Sequence, residues 1–172
     1  MLSSFLQMAL LDILIYPDPR LKQVAQPVTS FDATLHRFLD DLKETMYYAD
    51  GVGLAATQVG TMTRVAVIDT SDERNQPIEL INPRIVARQG KIDSREGCLS
   101  IPDFRETITR SARVHVHALD RFGKPFEFEA EELLAYCVQH ELDHLDGILF
   151  VDHLSNLKKQ IFLKWLQKQE QK

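Results

Sequence analysis

His140 and His144 stand one helical turn apart in His140-Glu141-Leu142-Asp143-His144, with Glu141 beside the first of them. At about 100° per residue, positions i and i+4 differ by about 40° around a helix axis. Both imidazoles then point the same way and can bind one ion. Glu141 lies about 100° round from His140, near enough to take a proton from a water at that ion without ligating it. This is the chemistry of hydrolysis by activated water. A solvated, charged helix face would use the same residue types, but the HExxH order is too specific for that reading.

Two imidazoles leave such a site incomplete, because catalytic sites of this kind have three protein ligands and an open position. The metzincin pattern HExxHxxGxxH is followed as far as Gly147, and then Phe150 stands where the third histidine belongs. Thermolysin-type proteases take a glutamate from a later helix, and the only one downstream is Glu170, in the charged tail. Cys98 remains, in Glu96-Gly97-Cys98-Leu99-Ser100, where the glycine permits a tight backbone path beside the thiol. An ion would hold Cys98 as thiolate. Cys98 and Cys137 are the two cysteines, and no secretion signal supports a disulfide framework, so a reducing compartment is expected.

The elements that must carry these residues are legible in part. Asp32 can cap a helix in which Leu35, Phe38, Leu39, Leu42 and Met46 recur at helical spacing, ending near Gly51. Residues 51–60, with three glycines, read as a loop. Residues 64–70 alternate as a strand, and 78–86 read as an extended segment demoted to a sheet edge by Pro83. Residues 113–119 and 125–129 flank a short turn and form a hairpin. The motif helix spans about 131–145 and stops at Gly147, and a further helix starts near Ser155. Strands in the middle and helices toward the ends predict an α+β fold. Its antiparallel or mixed sheets pack around a central HExxH metal-binding helix, with one helix on the N-terminal side and one at the C-terminal end.

With 172 residues, 44% hydrophobic and 26% charged, the chain suits one domain, 1–172, with a real core. A net charge of −5 argues against general binding of free nucleic acid. Residues 1–15 are rich in apolar side chains, but no Lys or Arg precedes Arg20, and Asp12 interrupts the run. The segment is too short to span a bilayer and lacks the features of a signal peptide. It reads as an N-terminal extension, 1–9, followed by a strand, and no membrane partner is expected.

Three segments together resemble one family. Gly51-Val52-Gly53-Leu54-Ala55-Ala56-Thr57-Gln58, Glu96-Gly97-Cys98-Leu99-Ser100 and Gln139-His140-Glu141-Leu142-Asp143-His144 are similar, in order and spacing, to the three signature motifs of peptide deformylase. The resemblance runs from about residue 14 to 157. It implies a cytoplasmic hydrolase that removes the formyl group from N-terminal formyl-methionine, with N-formyl-methionyl nascent polypeptides as its partners. It implies that Cys98, His140 and His144 ligate one divalent ion, Fe2+ physiologically, although Zn2+, Ni2+ and Co2+ suit the same donors. It also implies Glu141 as general acid and base, Gln58 and the backbone N–H of Leu99 as oxyanion donors, and Val52, Gly53 and Gly97 as the lining of the peptide cleft.

On the motif helix, Leu133, Tyr136 and Cys137 share the face of His140 and should wall the pocket for the methionine side chain. Tyr136 replaces a side chain that is commonly aliphatic in the family, and Ser94 is more polar than expected nearby. From Ser155 onward there are five lysines and one acid. Leu154, Leu157, Ile161, Phe162, Trp165 and Leu166 would form a packed stripe there. This basic helix, about 155–172, is either a solvated end or a surface for the ribosome. His36, His115, His117 and His153 read as surface or sheet residues. The competing functions are an HExxH metallo-endopeptidase, a catalytically silent binding homologue, and a structural zinc module, for which no fourth ligand is evident.

Overall fold

The computed structural model describes residues 9–172, so the expected extension lies outside it except for Ala9. Asp32 begins helix α1 (Ala33–Tyr48), its carboxylate accepting the Leu35 N–H at 3.1 Å. The helical-spacing residues Leu35, Leu39, Leu42 and Met46 are buried as expected, packed with Leu54, Val65, Val67 and Ile81.

Those partners belong to a five-stranded antiparallel sheet built from β1 (Gly53–Ala55), β2 (Val65–Ile68), β3 (Ile78–Gln89), β6 (Arg113–Leu119) and β7 (Pro125–Glu131), in the order β1-β2-β3-β6-β7. Strands β4 (Ile92–Cys98) and β5 (Ile101–Arg110) form a separate two-stranded hairpin. Helix α2 (Glu132–Leu145) contacts β1, β2, β6 and β7. Its Ala135, Val138 and Leu142 pack on Val114, Val116, Ala118 and Ala130, so burial alternates along β6 of the expected hairpin. The α+β expectation holds, with every strand pairing antiparallel.

Four local readings need correction. Residues 51–60 are not a loop: β1 is followed by a 3-10 turn at Ala56–Val59, which closes at Gly60 with φ 79°. Strand β3 is not an edge but the middle of the sheet. Its Pro83 falls where the β3–β6 register shifts between Ile81 and Arg84, next to Asn82 at φ 50°, so its missing N–H costs no regular ladder bond. Instead the Pro83 carbonyl accepts from Nε and Nη2 of Arg64, at 3.2 and 3.0 Å. Residues 10–15 form no strand. Leu14 N–H donates to Gln58 O at 2.7 Å and Tyr16 N–H to Ser100 O at 2.8 Å, which are single bonds to two different elements. The fourth correction concerns helix α3 (Asn156–Glu170), which starts near Ser155 as expected. Phe162 is buried in it, and Trp165 lies 5.1 Å from Phe104 between ring centroids. Leu157 and Ile161, however, are 74% and 47% exposed, so the packed stripe is narrower than the spacing suggests. Among the described residues, no helix is long and apolar enough to cross a membrane.

Helix α2 ends in a full Schellman arrangement: Ile148 N–H donates to Asp143 O at 2.8 Å and Gly147 N–H to His144 O at 3.1 Å. Gly147 has φ 74°, and a Cβ there would stand 2.4 Å from the backbone oxygen of Lys22. Both the dihedral and the close approach require glycine. Gly147→Ala should therefore cost about 2 kcal/mol or more, seen as a lower urea midpoint at unchanged slope. An unchanged midpoint would mean that the Lys22 backbone yields freely.

Candidate active site

Cys98 ends β4, immediately before a two-residue turn, Leu99 and Ser100, that leads into β5. The turn carries the thiol to the face of α2 that holds both imidazoles. Cys98 Sγ lies 3.3 Å from His144 Nε2, which is 3.2 Å from His140 Nε2. Cys98, His140 and His144 thus present three donor atoms within 4.8 Å of one another. The three expected ligands are brought together.

The electrostatics suit a cation at this point. Burial disfavours charge on His140, yet hydrogen bonds to Cys98 and Glu96 hold its pKa well above the ordinary value. Burial and the neighbouring His140 charge push His144 well below it. The pair therefore does not take two protons. Thiolate and neutral imidazoles are ligands that a borderline divalent ion accepts. The donor chemistry fits the metal.

Glu141 is buried on the next helical position, and its Oε2 has no hydrogen-bond partner. Burial pushes its carboxyl up to about 7, the range of a group that exchanges protons at neutral pH. A Cβ on Gly53 would lie 2.7 Å from Glu141 Oε1. Gly53 is thus required by the approach of β1 to Glu141 itself, as well as by its place in the cavity wall.

Gln58 sits on the 3-10 turn after β1 and is 1% exposed. Its Oε1 accepts the Ala55 N–H at 3.0 Å, which turns Nε2 toward Ser100 Oγ at 3.1 Å and Cys98 Sγ at 3.6 Å. A side-chain amide donor is therefore aimed at the centre. A cavity of about 870 Å³ opens in front of these groups. Its lining includes Val52, Gly53, Gln58, Gly97, Cys98 and Leu99, and also Leu133, Tyr136, Cys137, His140 and Glu141, so the expected helix stripe reaches the same space. Burial and the Glu141 charge push the Cys137 thiol up to about 12, leaving it a neutral wall residue. Ser94 is buried and lines the cavity as well. Phe150, at the position of the missing third histidine, is buried, with its ring stacked 6.0 Å from that of His140. It packs behind His140 rather than lining the cavity, and carries no ligand atom.

Sequence reading missed the supports of this centre. Glu96 Oε1 lies 2.9 Å from His140 Nδ1 and orients the ring. Both Glu96 oxygens also accept from Arg110, each at 2.8 Å. Arg110 Nη1 continues to Asp143 Oδ2 at 2.6 Å, and His153 Nε2 meets the same oxygen at 2.8 Å. Burial would raise the Glu96 pKa, but Arg110 and His140 outweigh it and bring the carboxyl to about 2. Ser100 holds Gln58, and Thr57 Oγ1 donates to His144 O at 3.1 Å. Glu96 and Ser100 were visible within a motif. Arg110, 14 residues from Glu96, belongs to none of the three motifs.

The sequence model of a family described as Polypeptide deformylase matches residues 10–160. The chain is 53% identical over 163 residues to the peptide deformylase of Nitrosococcus oceani, covering 95% of this chain and 98% of that one. It is 56% identical over 162 residues to that of Alkalilimnicola ehrlichii, covering 94% and 91%. A crystal structure of a peptide deformylase from Legionella pneumophila superimposes with a TM-score of 0.89 at 47% identity, covering 95% and 96% of the two chains. A deformylase from Synechococcus elongatus in complex with actinonin gives 0.82 at 43% identity, covering 85% and 81%.

The Glu96 contact makes a testable claim. Glu96→Gln keeps the side-chain shape but removes the charge that holds the His140 ring. Ion affinity should fall by about 10- to 100-fold, measured by equilibrium dialysis against a buffered metal. Unchanged affinity would mean that packing on Phe150 alone orients His140.

Proposed function

The chain belongs to the polypeptide deformylase family, an enzyme of N-formyl peptide hydrolysis, and we propose that it deformylates through Cys98, His140 and His144 as ion ligands, with Glu141, Gln58 and Leu99 acting on the substrate. The observation that carries this reading is the buried, unpartnered Glu141 Oε2 beside three converging donor atoms. A metallo-endopeptidase is disfavoured by Phe150, which packs against His140 in place of a third histidine.

When bound, a divalent ion supplies Lewis acidity, bringing the pKa of a water toward about 7 and polarising the formyl carbonyl. Glu141 accepts the proton of the attacking water on its carboxylate and returns it to the leaving amine. Gln58 Nε2 and the Leu99 N–H donate to the carbonyl oxygen as it gains negative charge, and Ala55 and Ser100 already hold the amide in that orientation. Leu133, Tyr136 and Cys137 wall the space for the methionine side chain. Val52, Gly53 and Gly97 let the peptide backbone lie close to the cleft.

Glu141→Ala should keep its ion and lose about 10²–10⁴ in turnover, read as formate release from formyl-Met-Ala-Ser with metal analysis of the same sample. Loss of the ion with normal activity per remaining ion would instead make Glu141 a ligand.

For the resident ion, the family resemblance points to Fe2+. A thiolate next to a redox-active ion is open to peroxide, so Cys98 would advance along the sulfenic to sulfinic series. The Fe2+ form should lose formate release in peroxide faster than the Ni2+ form. Equal half-lives would remove the ion from the explanation.

A cytoplasmic setting, where nascent chains emerge, agrees with the free thiols of Cys98 and Cys137. Docking on the ribosome would use α3. Lys158 is already occupied, its Nζ donating to Thr107 O at 2.7 Å. That leaves Lys159, Lys164, Lys168 and Lys172 on or next to the helix to meet a polyanion. Replacing these four by Gln should weaken ribosome co-sedimentation and flatten its salt dependence, with formate release unchanged. Equal sedimentation of both proteins would leave the lysines a solvated helix end.

A further inference from the structure

Away from the cleft, the outer face of the sheet carries a second convergent group of donors. His115 and His117 are two apart on β6, so both rings leave the same face, opposite Val114, Val116 and Ala118 in the core. Across the ladder, His117 pairs with Glu127 and His115 with Glu129 on β7. His117 Nε2 lies 2.7 Å and His115 Nε2 3.1 Å from the same oxygen, Glu127 Oε2. His115 Nδ1 is 3.9 Å from Glu129 Oε1.

Two independent histidine–glutamate pairs would use different carboxylate oxygens. Here two imidazole nitrogens and one carboxylate oxygen crowd toward a single point, with the ligand-type atoms of His115, His117 and Glu127 all within 4.8 Å. A tetrahedral ion with bonds of about 2.0–2.1 Å sets its ligand atoms about 3.3 Å apart. From 3.1 and 2.7 Å, the two N···O distances need to open by about 0.2 and 0.6 Å to match, and side chains that are partly exposed at a sheet surface can do so. Arg84 is the register partner of His117 on β3 and brings one opposing positive charge. Glu127 and Glu129 together outnumber it.

We infer that His115, His117 and Glu127 form a second, three-ligand metal site for a borderline divalent ion of the Zn2+ class. It lies on the opposite side of the sheet from the α2 core and shares no residue with the Cys98–His140–His144 centre. Two imidazoles and a carboxylate favour such ions over Mg2+ or Ca2+, which take oxygen ligands. The ion would clip β6 to β7 across their ladder.

The test uses enzyme already carrying one Ni2+ per chain, counted by metal analysis before the experiment, so that the first centre is scored separately. Zn2+ is then titrated by calorimetry. The wild type should take one further equivalent. His117→Ala, at a partly exposed position, and Glu127→Gln, at an exposed one, should weaken that binding by about tenfold or more, with formate release and the Ni2+ count unchanged. The proposal is overturned if the wild type takes no further Zn2+, or if it takes an equivalent that both variants bind equally well.

Discussion

The Glu96 carboxylate is the tie on which the rest of this molecule depends. A two-stranded hairpin such as β4–β5 is marginal by itself, and here it must hold Cys98 against a helix from a different part of the chain. Glu96 meets Arg110 of its own hairpin and His140 of α2 at once, and Arg110 goes on to Asp143 one turn along that helix. Hairpin and helix are thereby locked in one register, and three donor atoms meet. A buried ion pair of this kind adds little as a pair, but removing one member strands a charge in the interior. The arrangement therefore enforces geometry more than it adds net stability.

The same constraint explains what the sequence disclosed. Helix α1 buries apolar side chains at regular spacing, so periodicity finds it, and the short turn between two extended runs finds the β6–β7 hairpin. Strand β4 escapes because its buried positions are Ser94 and Glu96, so its inner face looks like a surface. Strand β1 escapes for the opposite reason: Gly53, Leu54 and Ala55 are all buried, and no alternation exists. Pro83 misleads because a register shift accommodates it in mid-sheet. The two expected imidazole ligands and Glu141 were legible because one helical turn fixes their relation. Arg110 was not, since only the fold brings it to Glu96. The outward Leu157 and Ile161 show the remaining limit, because helical spacing defines a stripe but not how much of it the domain covers.

The Gln58 side of the cleft follows the same logic of shared supports. Gln58 comes from the turn after β1 and Ser100 from the turn between β4 and β5, yet the two are joined directly. The backbone on either side adds Leu14 N–H to Gln58 O and Tyr16 N–H to Ser100 O. The irregular stretch before Pro17 thus fastens both turns, which accounts for its failure to join any sheet.

The contact between Gly53 and Glu141 has a consequence for side-chain order. A free glutamate loses up to about 1.5–2 kcal/mol of rotamer freedom when it is fixed in one orientation. With the β1 backbone against one oxygen and the interior around the other, Glu141 gives up that freedom when the chain folds. In the proposed mechanism, each turnover would begin from an ordered carboxylate, and the entropy of arranging it would not recur in the cycle. The absent side chain at position 53 would then belong, under that proposal, to the proton-transfer apparatus.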